Sequence, residues 1–88
     1  MRFPTLGCDA AEYLIEKNIR GLGIDTLSPD SPHGDFPVHT LLLTAGIYIV
    51  ENIKYVSDLP AAAGFLQIVP LAIVGGTESP VRAFFFYR

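Results

Sequence analysis

The segment from residue 35 to residue 51, DFPVHTLLLTAGIYIVE, constrains the fold more than any other stretch of the chain. Pro37 is typical of the first turn of a helix, and Gly46 is typical of the residue that ends one. The continuous apolar run 47–50 predicts a strand that is covered on both faces. We therefore expect a helix over residues 37–45 that leads directly into a buried strand.

The chain before this segment predicts another helix and another strand. Asp9 favours a helix N-terminus, an apolar stripe at helical spacing follows it, and Asn18 suits a left-handed helix stop. Residues 22–24 form a short apolar run that predicts a strand ending at Asp25. Two prolines, a glycine and two serines indicate that residues 26–36 form a loop.

The chain after this segment predicts two more strands. The run 65–74 predicts the longest strand, in the core, and residues 81–87 predict the last one. A glycine-rich stretch at 75–77 predicts a short turn between them, so we expect these strands to be antiparallel. Helix–strand alternation in the first half predicts parallel strands with helices packed on them. The expected fold class is α/β, with about two helices and a mixed sheet in one domain, residues 1–88.

The composition indicates that the chain has more apolar surface than it can bury alone. Hydrophobic residues make up 50% of the 88 residues and charged residues only 17%. Such a composition predicts apolar surface that is covered by a partner, and we expect a homo-oligomer. The net charge is −3 and the basic residues are scattered, so nucleic acid is excluded as an expected partner.

The cysteine content and hydropathy pattern predict a cytoplasmic protein with no membrane partner. Cys8 is the only cysteine in the sequence, which excludes an internal disulfide framework and suits a reducing compartment. The first residues contain no apolar signal core, so we expect no leader. The most apolar run, 65–74, is about half of the roughly 20 residues that a membrane span needs.

The geometry of the central segment brings two polar residues to one edge of the predicted sheet. The helix advances by about 13 Å at 1.5 Å per residue, and the strand returns by about 16 Å at 3.3 Å per residue. His39 at the helix start and Glu51 at the strand end should therefore lie together. Asp25 ends the preceding parallel strand at the same edge, and Asp35, with Phe36, is a candidate helix cap there. Histidine with a carboxylate suits zinc or manganese binding, or acid–base chemistry.

Structural roles explain the same residues without any chemistry. His39 is equally typical of packing or capping in a first helical turn, and Glu51 of the point where a buried strand meets solvent. Asp25 is also a common turn residue, and His33 is expected to be exposed in the loop. The residues alone leave the catalytic residue unknown and indicate no cofactor-binding motif.

Three stretches together resemble the cyclase family of metal-dependent hydrolases, whose members are arylformamidase-like. They are AAEYLIEKNIRGLGIDTLSPD, DFPVHTLLLTAGIYIVENI and IVPLAIVGGTESPVRA, in this order with few gaps. The resemblance implies a swivelling β/β/α fold in dimers or tetramers. It also implies hydrolysis of a small-molecule amide or formamide in tryptophan catabolism, with water activated by zinc or manganese. By the same resemblance, His39 and Glu51 correspond to metal ligands.

The family's other metal-binding motif, His-x-Gly-Thr-His-x-Asp-x-Pro, is not present in these 88 residues. The resemblance thus covers the C-terminal portion of the family pattern, a single partial cyclase-like domain. We expect a fragment of such a hydrolase that keeps part of the site and is inactive alone. Two alternatives remain: an enzyme half completed by another copy or chain, and a non-enzymatic small α/β assembly protein derived from that fold.

Overall fold

The computed structural model describes residues 2–54 and 57–88, and it has the expected α/β class with two helices. Within those residues no helix is long and apolar enough to cross a membrane. The chain divides into two compact units, Met1–Tyr55 and Val56–Arg88. The elements in chain order are α1 (Cys8–Glu16), β1 (Gly21–Gly23), α2 (Pro37–Thr44), β2 (Tyr48–Val50), β3 (Phe65–Pro70) and β4 (Val81–Phe86).

The first helix, α1, begins and ends close to its predicted positions. Asp9 lies in its first turn, where Oδ1 accepts a hydrogen bond from the Ala10 N–H at 2.9 Å. A carboxylate at this position also interacts favourably with the positive end of the helix dipole. Asn18 adopts φ 55°, so the predicted left-handed stop just beyond the helix is confirmed.

The short strands β1 and β2 pair in parallel, as helix–strand alternation predicts. Pairing begins with Gly21 opposite Tyr48, so β1 starts one residue before the predicted strand 22–24. The Tyr48 ring lies so close to Gly21 that a Cβ atom on this glycine would overlap it. A larger residue at position 21 would therefore force the partly exposed Tyr48 ring to move.

The turn from α2 into β2 follows the predicted helix–glycine–strand pattern. The helix ends at Thr44, one residue earlier than expected, and Gly46 adopts φ +78°, a conformation that favours glycine. The backbone N–H of Ile47 donates to the Leu42 carbonyl oxygen at 2.9 Å. These contacts close the end of the helix and direct the chain back along β2.

The hydrophobic core of the first unit lies where the two helices pack together and meet the parallel strands. Its fully buried side chains come from α1, from α2 and from the turn before β2, and half-buried apolar side chains surround them. The four buried residues are Ala11, Val38, Leu42 and Ile47. This core holds α2 and the start of β2 in place.

The last two strands, β3 and β4, are antiparallel as predicted, with Phe65 opposite Phe86. The strand β3 is shorter than the predicted 65–74 because it ends at Pro70, which has no N–H to continue a ladder. The connection spans residues 71–80, so the prediction of a short turn between these strands is wrong.

The prediction that this region forms a core strand is also wrong. Most side chains of β3 and β4 are exposed, and only Ile68 and Phe85 are half-buried. The strands form two sheets of two strands each, and no ladder among the described residues joins them into one mixed sheet. A pair of strands has no second layer of its own, so its apolar side chains remain exposed.

We predict that Leu42→Ala strongly destabilises the first unit. Leu42 is fully buried, and removing its side chain costs about 2–5 kcal/mol through lost burial and the cavity left behind. Leu43→Ala is the matched control because Leu43 is 55% exposed, and we expect a change within about 0.5 kcal/mol. Urea denaturation followed by circular dichroism measures both, and equal midpoints for the two variants would contradict this core assignment.

Candidate functional site

His39 and Glu51 lie in direct contact at one edge of the parallel strands. His39 is in the first turn of α2 and Glu51 follows β2 directly. Their side chains approach to 2.9 Å between Nε2 and Oε1, and each is 29% exposed. The structure therefore brings together the two residues that the out-and-back lengths predict to be neighbours. Their role as metal ligands stays a prediction.

The backbone beyond β1 and β2 holds Glu51 in position. The N–H of Asn52 donates to the Thr26 carbonyl oxygen at 2.9 Å, and the N–H of Ile53 donates to the Ile24 carbonyl oxygen at 3.0 Å. These bonds continue the contact between the two chain segments past the last paired strand residues. The backbone at Glu51 is thus fixed by hydrogen bonds, while its half-exposed carboxylate lies at the edge of the parallel strands.

Asp30 is a third member of this cluster, and no pattern in the sequence predicts it. Its Oδ2 accepts hydrogen bonds from His39 Nδ1 at 2.7 Å and from the His39 backbone N–H at 2.8 Å. Its Oδ1 accepts from the Val38 backbone N–H at 2.9 Å. Asp30 is 3% exposed, so a buried carboxylate both caps α2 and orients the imidazole.

The loop turns Asp30 inwards through its own hydrogen bonds. Ser28 Oγ accepts from the Asp30 N–H at 3.0 Å, and Thr26 Oγ1 donates to the Ser28 carbonyl oxygen at 2.9 Å. The N–H of Leu6 donates to the Pro29 carbonyl oxygen at 2.8 Å. Asp30 lies eight residues before the Val38 N–H that it caps. The only sequence signal for this role is an aspartate in a loop before a helix, which is too common to identify it.

The expected cap residues do not cap α2 with their side chains. Phe36 occupies the N-cap position but makes no side-chain capping bond. It adopts φ 53° and ψ 55°, an unusual conformation for a bulky residue, and its ring meets the His39 ring edge-on at 5.9 Å. Asp35 and Asp25 are exposed, and neither contributes a side-chain hydrogen bond to His39 or Glu51. His33 is exposed in the loop, as predicted.

The environment of Asp30 keeps its carboxyl group ionised. Burial raises the pKa of the Asp30 carboxyl group. Hydrogen bonds from the backbone and the ring of His39 and from the Val38 backbone lower this pKa, as does the charge interaction with His39, and together they outweigh the effect of burial. The net pKa of Asp30 is below its usual value of 3.8. An ionised carboxylate can only accept hydrogen bonds, so it favours a proton on His39 Nδ1.

A cleft with mainly apolar walls opens beside the His39–Glu51 pair. Its volume is about 480 Å³, and its walls combine aromatic, aliphatic and proline side chains with a few polar groups. The residues that line it are Phe3, Leu27, Ser28, Pro32, Phe36, His39 and Glu51. The polar pair therefore lies at an open cleft whose apolar walls could contact one side of a small organic molecule.

The chemistry of the pair fits part of a zinc or manganese site. An imidazole nitrogen and a carboxylate oxygen are common ligands of these ions, and Asp30 supports the imidazole from its opposite side. Catalytic zinc normally has three protein ligands. In the described part of the chain, no three histidine, cysteine, aspartate or glutamate side chains are grouped to hold a metal ion. The described residues therefore supply two ligands facing one another.

Proteins with similar sequences are named as hydrolases. The chain is 39% identical over 82 residues to a kynurenine formamidase of Bacillus cereus, which covers 91% of this chain and 38% of that enzyme. It is 35% identical over 80 residues to an isatin hydrolase of Roseibium aggregatum, which covers 85% of this chain and 30% of that enzyme. No family model matches the chain.

Solved structures share the same fold over part of their length. A potential metal-dependent hydrolase with cyclase activity gives a TM-score of 0.86 at 37% identity, covering 98% of this chain and 42% of the other. A predicted metal-dependent hydrolase from Bacillus stearothermophilus gives 0.85 at 37% identity, with the same coverage. The chain is therefore homologous to the C-terminal part of cyclase-like metal-dependent hydrolases. It spans less than half of their length.

We predict that Asp30→Asn lowers the free energy of unfolding and makes it less dependent on acidic pH. Because the folded-state pKa of Asp30 is lowered, its ionised form stabilises the fold above the unfolded pKa of about 4. This stabilisation is lost as the pH falls through the folded pKa. Denaturant unfolding between pH 7 and pH 2.5 should show a steeper acid loss in the wild type than in Asp30→Asn.

Asp35→Asn is the matched control for this experiment, since Asp35 is exposed. Asparagine keeps one acceptor oxygen but replaces the other with an NH2 group that cannot accept a hydrogen bond, so this substitution should cost about 1–3 kcal/mol at pH 7, whereas the control should stay close to the wild type. An acid loss of the same steepness in Asp30→Asn and the wild type would show that Asp30 does not supply it.

Proposed function

We propose that this chain forms part of the active site of a metal-dependent amide hydrolase of the arylformamidase type. The observation that carries the proposal is the 2.9 Å contact between His39 Nε2 and Glu51 Oε1 beside an apolar cleft. The homology to proteins named kynurenine formamidase, isatin hydrolase and metal-dependent hydrolase supports it. Zinc or manganese is the proposed ion, because both accept this pair of ligands.

The residues at this site have three proposed roles, as metal ligands, as support for a ligand and as walls of the cleft. His39 Nε2 and a Glu51 carboxylate oxygen would hold the metal, while Asp30 holds the imidazole in place. When bound, the ion would supply a water of lowered pKa and a Lewis acid for the amide carbonyl. The walls formed by Phe3, Leu27 and Phe36 would contact the apolar part of the substrate.

We propose a small amide or formamide that carries an apolar, aromatic group as the substrate. The names of the relatives specify the formamide of kynurenine in one case and isatin in the other. The mainly apolar cleft of about 480 Å³ favours a ligand of this size and chemistry. A place in tryptophan catabolism follows if the substrate is the formamide of kynurenine. A cytoplasmic location is proposed from Cys8, a single free thiol.

Two protein ligands bind a catalytic metal less tightly than three. We therefore propose that hydrolysis requires further ligands from outside these 88 residues, and that the 88 residues alone turn over substrate poorly. The second candidate is a non-enzymatic assembly protein with the same fold, which is favoured by the exposed apolar side chains of β3 and β4.

We predict weak, site-specific binding of Zn²⁺ or Mn²⁺ that depends on the proposed pair. His39→Ala and Glu51→Gln should each lower the metal affinity by at least about tenfold, because each removes one of two ligands. His33→Ala is the matched control, since it removes an exposed loop histidine. Equilibrium dialysis with metal analysis measures the affinities. Equal metal binding by all four proteins would contradict the proposed ligand pair.

An assay with formylated aromatic amines, with and without added metal, separates the two candidate functions. Metal-dependent release of formate that His39→Ala abolishes supports the hydrolase. A protein that binds metal at His39 and Glu51 and hydrolyses no amide alone should gain activity when the missing ligands are supplied in a second chain. Absence of both metal binding and hydrolysis favours the assembly protein.

We further propose that the exposed apolar side of the second unit associates with a second copy of the chain. Two isolated strands are marginally stable, so additional cover is favourable. We call one face of this strand pair the β3–β4 surface: Phe65, Val69, Phe84 and Phe86, which are all exposed. The cross-strand register and the alternation of side chains place Leu66 and Val81 on the opposite face.

We predict a dimer or larger oligomer in sedimentation velocity at micromolar concentration. Phe65→Thr should shift the equilibrium towards monomer, because Phe65 is 66% exposed on the β3–β4 surface and threonine retains strand propensity. Tyr13→Thr removes a 57% exposed aromatic ring from α1 and should leave association unchanged. A wild-type protein that stays monomeric over the concentration range contradicts association with a second copy.

A further inference from the structure

We propose that Asp30 is a positioning residue that keeps the ring proton of His39 on Nδ1, so that the nitrogen facing Glu51, Nε2, carries a free lone pair. The proposal rests on the proposed function, because the nitrogen that faces Glu51 is the one available to a metal ion. One buried loop carboxylate would then set both the start of α2 and the orientation of the imidazole.

Two carboxylates compete for the ring N–H of His39. Asp30 Oδ2 lies 2.7 Å from Nδ1, and Glu51 Oε1 lies 2.9 Å from Nε2. Asp30 is 3% exposed and Glu51 is 29% exposed. Water competes less for a buried hydrogen bond, and the local dielectric constant is lower, so the bond to Asp30 is the stronger of the two. The single proton of the neutral ring therefore resides on Nδ1.

The Asp30 carboxylate is held rigidly by the same helix that carries His39. Its two oxygens accept the backbone N–H groups of Val38 and His39 at 2.9 and 2.8 Å, which fixes the plane of the carboxylate relative to the first turn of α2. The third bond, from Nδ1, then fixes the imidazole relative to that plane. Backbone, carboxylate and ring form one rigid unit.

With the proton on Nδ1, the Nε2 lone pair points towards the Glu51 carboxylate. Both of these groups are hydrogen-bond acceptors, and they lie 2.9 Å apart. Two acceptors at this separation are stable only with a positive species between them, which is either a second proton or a cation. Zn²⁺ binds such ligands tetrahedrally at about 2.0–2.2 Å, so two ligands of one ion lie about 3.3–3.6 Å apart. The separation of 2.9 Å is slightly shorter, and a divalent cation would fit between the two groups after the partly exposed Glu51 side chain moves outwards by roughly 0.5 Å.

The test is the position of the ring proton of His39 in the metal-free protein. Nitrogen-15 NMR at alkaline pH, where an unperturbed imidazole is neutral, distinguishes Nδ1–H from Nε2–H. We expect Nδ1–H in the wild type and loss of this preference in Asp30→Asn. Asp9→Asn is the matched control, because it replaces a hydrogen-bonded aspartate in the first turn of α1 and leaves His39 untouched.

The wild-type spectrum alone can overturn the proposal, whether or not Asp30→Asn folds. A ring proton on Nε2 in the wild type would show that Asp30 does not select the nitrogen. A folded Asp30→Asn variant that keeps the wild-type ring proton position would show that Asp30 only caps the helix. A merely structural loss would lower stability without moving this proton.

Zinc titration of the same three proteins links the ring to the metal. The dissociation constant of Asp30→Asn should rise about 10–100-fold, as for other residues that orient a ligating histidine, and Asp9→Asn should match the wild type. Equal zinc affinity in Asp30→Asn and the wild type would overturn the link between ring position and metal binding. If the wild type binds no zinc, the proposed function fails, and the ring proton still decides the role of Asp30.

Discussion

The first unit depends on one buried carboxylate, that of Asp30. A nearly buried charge is unfavourable unless hydrogen bonds compensate it, and Asp30 receives three, two from the backbone and one from the His39 ring. These bonds join the loop before α2 to the helix itself. They also hold His39 towards Glu51, which the parallel strands bring to the same edge. Loop conformation, helix start and candidate metal site are thus parts of one hydrogen-bonded arrangement.

The two units of the chain differ in how they bury apolar side chains. In Met1–Tyr55, helices cover the strands, and residues such as Leu42 and Val38 are almost completely buried. Among the described residues 57–88 of the second unit, the strands β3 and β4 pair without a helix to cover them, and side chains such as Phe65 and Phe86 remain exposed. The homologous structures are more than twice as long as this segment, since the chain covers 42% of them. The high apolar content of the sequence and the exposed side chains of β3 and β4 have the same cause, because too few residues in this chain pack over the apolar side chains.

The elements and the His39–Glu51 contact were predictable because they depend on local patterns. Pro37 and Gly46 mark a helix of known length, the following apolar run marks a strand, and equal lengths out and back bring the ends together. The wrong predictions concern the length and the burial of β3, where the outcome depends on residues outside the local pattern. Pro70 ends a strand that looked longer, and the strands after it lack the cover that a core strand requires.

By itself, the sequence determined the α/β class, the parallel and antiparallel pairings and the pair of residues at the strand edge. These follow from periodicity, turn residues and chain length, which act over a few residues. Only the tertiary structure decided that Asp30, and not Asp35, caps α2 and orients His39. The reason is that this carboxylate acts across a loop whose inward turn depends on bonds such as that from Leu6 to Pro29. No spacing rule encodes a contact made in that way.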